Sequence, residues 1–325
     1  MIRIGAIGAG GIFHAHYQAI RELTSECQLV AVFDQNPEVL RPLQEHGIPT
    51  TADEADFWNF SMDAVIVSVP NRYHRRYVEQ AASRHLAVLT EKPMASTLSD
   101  AAAMVEAVSR AGVVHLIGFV NRYRPQVRQL KILIDRGQLG DLYGYREVSS
   151  GARLTNPSIG WEWRMDPALS GGGASTDFGS HTVDMATWLV GPLASLDVRL
   201  ATFVSREGKL PANDDMAVFS GRFASGALFS AVDSRVGPGI YRIEVYGAQG
   251  YAELNIHPEA SLKVVSYRSE NPMSVPDAPS GPDNPFVAQM HHFVTSVITG
   301  KLAEPNLETA YEVERHIADA RAGAR

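Results

Sequence analysis

Short apolar runs alternate with stretches of helical spacing over the first third of the chain. Runs that are apolar on both faces are typical of parallel strands covered by helices, so this order predicts an α/β domain. The predicted strands are Ile2–Ile7, Leu29–Phe33, Ala64–Val69, Ala87–Leu89 and Val113–Phe119. The predicted helices are Ile12–Leu23, Pro37–Glu45, His74–Arg84 and Leu98–Ala111.

Beyond the helix predicted at Pro125–Asp135, apolar and polar residues alternate with period two. Short turns such as Ala224-Ser225-Gly226 join several of these segments, which predicts an α+β domain with a mostly antiparallel sheet. The predicted strands are Tyr143–Ser149, Ala194–Val204, Met216–Phe223, Ala227–Val232, Arg242–Tyr246, Ala252–Leu254 and Leu262–Tyr267. A loop at Asn271–Pro285 and closing helices at Phe286–Thr299 and Leu307–Ala322 complete the chain.

Composition narrows the class of protein. The 325 residues suffice for about two domains, and the net charge of -7 argues against nucleic acid as the main partner. A single cysteine, Cys27, excludes an intrachain disulfide and a Cys-rich zinc site. We find neither a secretory signal nor an uncharged apolar stretch of about 18 residues, so we expect a soluble cytoplasmic protein without a membrane span.

A glycine turn follows the first predicted strand and precedes a helix. Gly8 allows a tight turn, and Gly10 lets the backbone approach a pyrophosphate that lies on the helix N-terminus. With Gly11 and Ile12, these residues form a candidate dinucleotide-binding turn. The alternative is an ordinary turn between strand and helix that binds no ligand.

Asp34 ends the second predicted strand, about 20 residues after the turn, where a carboxylate binds the adenosine ribose hydroxyls. It would repel a 2′-phosphate, and neither Gln35 nor Asn36 offers a cation to bind one. NAD is therefore favoured over NADP. The third fingerprint position is Phe13 instead of Gly or Ala, so we expect the first helix to lie further from the sheet.

Lys92 follows the predicted strand Ala87–Leu89, at the edge of the sheet where open α/β folds bind ligands. Pro93 favours an extended backbone at this lysine. A lysine placed there can donate to a substrate oxygen and stabilise a developing alkoxide. The alternative is a solvated surface lysine.

Three glycines, Gly171 to Gly173, give a flexible lead into a helix predicted near Ser175. On a regular helix Asp177, His181 and Asp184 share one face. A carboxylate beside an imidazole fixes its tautomer and raises its basicity, which favours an acid–base role. The alternatives are a structural His–Asp pair and a metal site, although no clear third ligand is present.

Other polar residues are weaker candidates. His14 and His16 on the first helix are expected to face solvent or to cap it. Aromatic and arginine side chains suit polyol or anion recognition. Candidates for a polar pocket of that kind are Arg122, Tyr123, Arg124, Arg153, Trp163 and Arg164.

Several motifs occur in an order that resembles the glucose-fructose oxidoreductase, inositol dehydrogenase and rhizopine-catabolism (Gfo/Idh/MocA) family. They are GAGGIFHAH at 8–16, VFD at 32–34, VPNRYH at 69–74, EKP at 91–93, GFVNRYRP at 118–125, GGGASTDFGSHTVD at 171–184 and YRIEVYGAQGYAEL at 241–254. The resemblance implies a Rossmann domain, placed at 1–122, and an α+β domain with a large open sheet at 123–325. It also allows the last helices to pack back on the first domain, and implies a homodimer or homotetramer formed through the open sheet.

The resemblance also assigns roles to individual residues. Lys92 matches the family's catalytic or substrate-orienting lysine, and Asp177 and His181 match its acid–base pair. Pro70 and Asn71 match positions near the cofactor ribose and nicotinamide. Further expected contacts are His74 and Glu91 with the cofactor, and Arg122, Trp163 and Arg164 with the substrate.

These roles combine into a hypothesis for the reaction: oxidation of a secondary alcohol on a sugar or cyclitol. His181 removes the hydroxyl proton, Asp177 steadies the imidazolium, Lys92 lowers the hydroxyl pKa, and the hydride passes to C4 of NAD⁺. Two alternatives remain open. One is a lyase or glycosidase that uses NAD for transient oxidation, and the other is a non-catalytic sensor that binds a dinucleotide.

Overall fold

The computed structural model describes residues 1–155, 163–205, 212–268 and 273–324. The chain forms two compact units: Met1–Val120 with Pro282–Glu312, and Asn121–Gly281 with Val313–Arg325. Each unit contains one sheet. No helix in the described part of the chain is both long and apolar enough to cross a membrane.

The first unit contains a six-stranded sheet in the order β3-β2-β1-β4-β5-β6, with every strand pair parallel. The strands are β1 (Ile2–Ile7), β2 (Cys27–Phe33), β3 (Thr50–Thr51), β4 (Ala64–Val67), β5 (Ala87–Thr90) and β6 (His115–Ile117). The helices are α1 (Gly11–Glu22), α2 (Pro37–Glu45), α3 (Glu54–Phe57), α4 (His74–Ser83) and α5 (Leu98–Ala111). This strand order is that of a Rossmann domain and confirms the predicted fold class.

Phe13 lies within the core of this unit. Its ring is completely buried and belongs to a cluster with Ala6, Ala9, Val32 and Leu40. The neighbouring side chains of Ala6 and Ala9 are small, so an aromatic ring replaces the close backbone contact that glycine usually provides. Phe13 therefore joins α1 to the sheet by packing.

Truncation of this ring tests the packing role. We expect Phe13→Ala to lower the free energy of unfolding by about 3–5 kcal/mol, because it removes a buried ring and leaves a cavity. Urea unfolding measures the loss. The control is Phe203→Ala, since Phe203 is 68% exposed, and its effect should stay within about 0.5 kcal/mol. Equal losses in the two variants would contradict the assignment.

The second unit contains a seven-stranded sheet in the order β13-β12-β11-β7-β10-β9-β8. Strands β7 and β10 are parallel and the other pairs are antiparallel, which confirms the mostly antiparallel prediction. The strands are β7 (Leu142–Ser150), β8 (Leu193–Ala201), β9 (Met216–Phe223), β10 (Leu228–Ser234), β11 (Ile240–Gly247), β12 (Gly250–His257) and β13 (Ser261–Ser266). The helices are α6 (Pro125–Asp135), α7 (Pro167–Ser170), α8 (Ala174–Asp177) and α9 (Gly179–Val190).

Two closing helices follow, α10 (Pro285–Thr299) and α11 (Leu307–Ala322). Helix α10 lies in the first unit, where Met290, Phe293 and Val294 pack in one cluster with Ala19 and Ile20 of α1. The division between the two units falls within α11. The segment Pro282–Glu312 therefore completes the core of the first unit from near the far end of the chain.

Candidate functional site

In the glycine turn of the first unit, Gly8 has no room for a side chain, whereas Gly10 and Gly11 have open space around them. Gly8 adopts φ +93°, and a Cβ there would lie 2.6 Å from the carbonyl oxygen of Ser68, so a side chain is excluded. At Gly10 and Gly11 a Cβ would meet no atom within 4 Å. The turn therefore presents open backbone at the N-terminus of α1, followed by the half-buried Ile12, which suits a pyrophosphate.

Asp34 is held directly beside this turn. Its Oδ2 accepts a hydrogen bond from the amide of Ala9 at 2.8 Å, and its Oδ1 accepts one from the amide of Asn36 at 2.9 Å. Both oxygens keep further lone pairs, and the residue is only half-buried. The carboxylate is thus oriented by the backbone and still able to accept ribose hydroxyls.

His74 joins the two loops that follow β4 and β5. It is fully buried, with Nε2 2.8 Å from the carbonyl oxygen of Val69 and Nδ1 3.1 Å from that of Met94. Burial lowers the pKa of this imidazole, although both carbonyls favour its charged form. The ring therefore positions the loops that carry Pro70 and Lys92, and its predicted cofactor contact stays a prediction.

Glu91 also faces inward, towards α1. Its Oε1 lies 2.7 Å from Nε2 of His16, and its Oε2 accepts the amide of Lys92 at 3.3 Å. A Cβ at Gly118 would lie 2.9 Å from the same carboxylate. His16 is completely buried, so its predicted solvent-facing position is wrong. The Glu91 carboxylate links α1 to the end of β5, and its predicted cofactor contact stays a prediction.

Lys92 lies at the carboxyl end of β5, half-buried, and the Lys92–Pro93 peptide bond is cis. Pro70 and Asn71 follow β4, the neighbouring strand in the sheet. Pro70 is half-buried, and Asn71 is buried at the start of the 3₁₀ turn Asn71–Tyr73. The lysine and the Pro70–Asn71 turn therefore lie at the same edge of the parallel sheet as the glycine turn.

Close packing explains the three glycines of the second unit better than flexibility does. A Cβ at Gly172 would lie 2.1 Å from Oγ1 of Thr176, and one at Gly173 would lie 1.8 Å from the carbonyl oxygen of Asp214. The Asp214 carboxylate accepts the amides of Gly173 at 3.1 Å and Ser175 at 2.7 Å. Asp214 therefore caps α8 from a distant segment, and the glycines permit the approach.

The helix that carries Asp177 and His181 is interrupted. Helix α8 ends at Asp177 and α9 begins at Gly179, with Phe178 between them. Asp177 and His181 are both half-buried, and Oδ2 of Asp177 lies 3.8 Å from Nε of Arg153. The single regular helix predicted from the sequence is wrong at Phe178.

Asp184 lies one turn after His181 on α9 and is buried with Arg122, whereas His181 is half-buried. The guanidinium Nη2 lies 2.6 Å from Oδ1 of Asp184, and Nε lies within 3.1 Å of both carboxylate oxygens. The indole of Trp188 lies 5.2 Å from the same guanidinium. Arg122 is thus a buried ion-pair partner, and its predicted substrate contact stays a prediction.

Removal of one partner tests this pair. We expect Asp184→Ala to lower the free energy of unfolding by about 3–5 kcal/mol, because it leaves the Arg122 guanidinium buried without its counterion. The matched control is Asp197→Asn, an exposed carboxylate on β8. Denaturant unfolding of both variants checks the difference, and a loss below about 1 kcal/mol in Asp184→Ala would contradict a buried role.

The loop with Trp163 and Arg164 is anchored through its backbone. The carbonyl oxygen of Arg164 accepts Nδ2 of Asn213 at 2.9 Å and Nη1 of the buried Arg235 at 3.3 Å. The Arg164 guanidinium lies 4.7 Å from the centre of the Trp163 ring. Residues 156–162, which precede this loop, lie outside the described part of the chain.

Sequence reasoning missed Asn213, Asp214 and Arg235, which hold the Arg164 loop and α8. The run of three polar residues from Asn213 to Asp215 directly before a predicted strand was the available signal. Within the described ranges, no group of three or more His, Cys, Asp or Glu side chains could hold a metal ion.

The fold and the glycine turn define the first unit as an NAD-binding Rossmann domain. A family model described as "Oxidoreductase family, NAD-binding Rossmann fold" matches residues 2–119. A second, the GFO/IDH/MocA C-terminal domain, matches residues 127–253. The chain belongs to the Gfo/Idh/MocA family of oxidoreductases.

Relatives align over most of the chain. Levoglucosan dehydrogenase of Pseudarthrobacter phenanthrenivorans is 23% identical, covering 96% of this chain and 93% of the relative. Glucose-6-phosphate 3-dehydrogenase of Bacillus subtilis is 28% identical, covering 72% of this chain and 68% of the relative. This chain is therefore similar to enzymes named as dehydrogenases of sugars and sugar phosphates.

Solved structures show the same fold. Levoglucosan dehydrogenase in complex with NADH and L-sorbose superposes with a TM-score of 0.87 at 22% identity, covering 99% of this chain and 97% of the other. Aldose-aldose oxidoreductase from Caulobacter crescentus, complexed with glycerol, gives a TM-score of 0.85 at 25% identity, covering 99% and 98%. These comparisons confirm the fold class across nearly the whole chain.

Proposed function

We propose that this protein transfers a hydride between C4 of NAD and a secondary alcohol or ketone of a sugar or cyclitol. The observation that carries the proposal is Lys92 at the carboxyl end of β5, in an NAD-binding domain with the glycine turn and Asp34 at the same sheet edge. Relatives named as dehydrogenases of levoglucosan, D-glucosides and inositol support the substrate class.

Asp34 is proposed to select NAD over NADP by accepting the ribose hydroxyls. We expect Asp34→Ala to raise the Kd for NADH about 10-fold, because a hydrogen bond to a charged group contributes about 1.5–3 kcal/mol. The Kd for NADPH should fall or stay constant, since the repulsion of the 2′-phosphate is removed. Fluorescence titration measures both, with the exposed neighbour Gln35→Ala as control. Equal losses of affinity for NADH and NADPH would contradict a role of Asp34 in selecting NAD.

The acid–base chemistry is assigned to three side chains. Lys92 donates a hydrogen bond to the substrate oxygen and lowers the pKa of the hydroxyl, and His181 accepts its proton. Asp177 steadies the resulting imidazolium. Bound NAD⁺ supplies the hydride acceptor, and ketone reduction uses the same groups in reverse.

Replacement of the lysine tests this assignment. We expect Lys92→Ala to lower kcat/KM by at least about 100-fold, because a positioned acid–base group contributes that much, while NADH affinity stays largely unchanged. Lys301→Ala, which removes an exposed lysine, is the control. A near-normal rate in Lys92→Ala would remove this residue from the mechanism.

The substrate is identified by NADH absorbance across a panel of inositols, aldoses, glycosides and sugar phosphates. Net NADH formation with one class supports the dehydrogenase. Cofactor that co-purifies and never exchanges, with a substrate cleaved and no net NADH formed, would indicate NAD-assisted lysis instead. Tight NADH binding without turnover of any sugar would indicate a sensor.

We also propose that the protein forms a homodimer or homotetramer through the second sheet. Val148, Val218 and Val232 lie side by side on neighbouring strands, on the face opposite the buried side chains, and Val218 and Leu228 are exposed. Exposed apolar patches mark interaction sites. Light scattering of the purified protein gives its mass, and a monomer at micromolar concentration would contradict this part.

A cytoplasmic location is the last part of the proposal. The single cysteine, Cys27, is free and buried. Lack of disulfides fits a reducing compartment. Fractionation of the host cell tests this, since recovery outside the cytoplasmic fraction would contradict it.

A further inference from the structure

Two carboxylates that no mechanism above uses are buried beneath α9. Glu147 lies on β7 and Asp233 on the adjacent β10, where Asp233 pairs with Ser149 in register, and both side chains are inaccessible to solvent. The hydroxyl of Thr182 on α9 lies 3.0 Å from Oε1 of Glu147 and 2.9 Å from Oδ1 of Asp233. The hydroxyl therefore bridges two acids from neighbouring strands.

A count of protons shows that the two acids cannot both be ionised in this arrangement. The Thr182 hydroxyl has one proton and donates it to one carboxylate. The second contact is a hydrogen bond only if the other carboxyl group is protonated and donates to the threonine oxygen. Two ionised carboxylates would also place two like charges side by side in a buried site.

The surroundings decide which acid carries the proton. Tyr145 donates to Oε2 of Glu147, and the hydroxyl of Tyr241 also favours its charged form. Oδ2 of Asp233 has no hydrogen-bond partner among the described residues, although it is buried. Glu147 thus has the donors that an anion needs, whereas Asp233 lacks them.

Burial and charged neighbours also favour a proton on Asp233. The titratable groups that face the pair are Tyr145 and Tyr241, with Asp177, Asp184 and Asp214 nearby and Arg124 beside Tyr241. Burial raises the pKa of Glu147 to about 7. Burial, and then the charge of Glu147, raise the pKa of Asp233 well above its ordinary value. Glu147 therefore ionises first as pH rises.

We propose that Asp233 is a neutral carboxylic acid that donates from Oδ1 to Thr182, which donates to Glu147, and that this chain of hydrogen bonds positions α9 and its His181. Asp233, Thr182 and Glu147 are positioning residues, because they act on His181 through the placement of α9. The protonation of Asp233 stands on the geometry alone, whereas the effect on His181 rests on the proposed function.

Infrared spectroscopy at pH 8 tests the protonation without any substrate. We expect the carbonyl stretch of a protonated carboxylic acid in the unmodified protein, because ordinary aspartates and glutamates ionise near pH 4. Labelling aspartate side-chain carbonyls with ¹³C should shift this band, and labelling those of glutamate should not. Asp233→Asn should abolish the band, whereas Glu147→Gln and the exposed control Asp197→Asn should retain it.

Three outcomes would overturn the protonation: no band at pH 8, a band that shifts with labelled glutamate, or a band that survives Asp233→Asn. The isotope measurement uses the unmodified chain, so it remains decisive if a variant fails to fold. Failure of the proposed dehydrogenase activity would leave each of these spectra unchanged. The two hypotheses are therefore judged separately.

The proton on Asp233 also makes the stability of the folded protein depend on pH. A carboxyl group whose pKa is raised by folding stabilises the fold fully below its unfolded pKa, near 4, and this contribution is lost as pH rises towards the folded value. Tm of the unmodified protein should therefore fall between pH 5 and 9 more steeply than that of Asp233→Asn. Parallel curves for the two proteins would contradict a buried proton on Asp233.

The turnover of Thr182 variants tests whether this chain of hydrogen bonds positions His181. Thr182→Val keeps the shape of the side chain and removes its hydroxyl, so we expect kcat to fall by about 10-fold or more with NADH affinity unchanged. Thr182→Ser restores the hydroxyl and should recover most of kcat. Full activity in Thr182→Val, or no recovery in Thr182→Ser, would overturn the positioning of His181.

Discussion

A polar group buried away from water needs a partner, and this constraint organises both units of the molecule. In the first unit the Glu91 carboxylate meets the ring of His16, and His74 meets two backbone carbonyls. In the second unit Arg122 meets Asp184. Each pairing joins segments that are distant in sequence, so the partners fix the loops and helices that carry the exposed polar residues.

This constraint separates residues that act from residues that position. Glu91 and His74 belong to motifs that follow β5 and β4, and their side chains make internal hydrogen bonds. Lys92 lies next to Glu91 and remains half-buried at the strand end. A short motif such as EKP therefore contains a structural acid beside the candidate catalytic lysine, and proximity in sequence does not imply a shared role.

Local patterns were sufficient to predict most of the fold. Period-two and helical spacing, with glycine and proline at element ends, identified both sheets and the bounds of α2, α5 and α6, because these signals depend on neighbouring residues. The break at Phe178, the burial of His16 and the cap from Asp214 depend on contacts between distant segments, which spacing does not encode. Glu147 and Asp233 did carry a signal, since acids at inward-facing strand positions need a special environment.

The central claim is that the substrate and NAD exchange a hydride directly. It is tested most directly by incubating the enzyme with NADH deuterated at C4 on the transferred face and the ketone of the best substrate, then locating the label by mass spectrometry. The account predicts deuterium on the newly formed carbinol carbon of the sugar, in a stoichiometry of one per NADH oxidised. A product without label, or label found in the solvent, would contradict it.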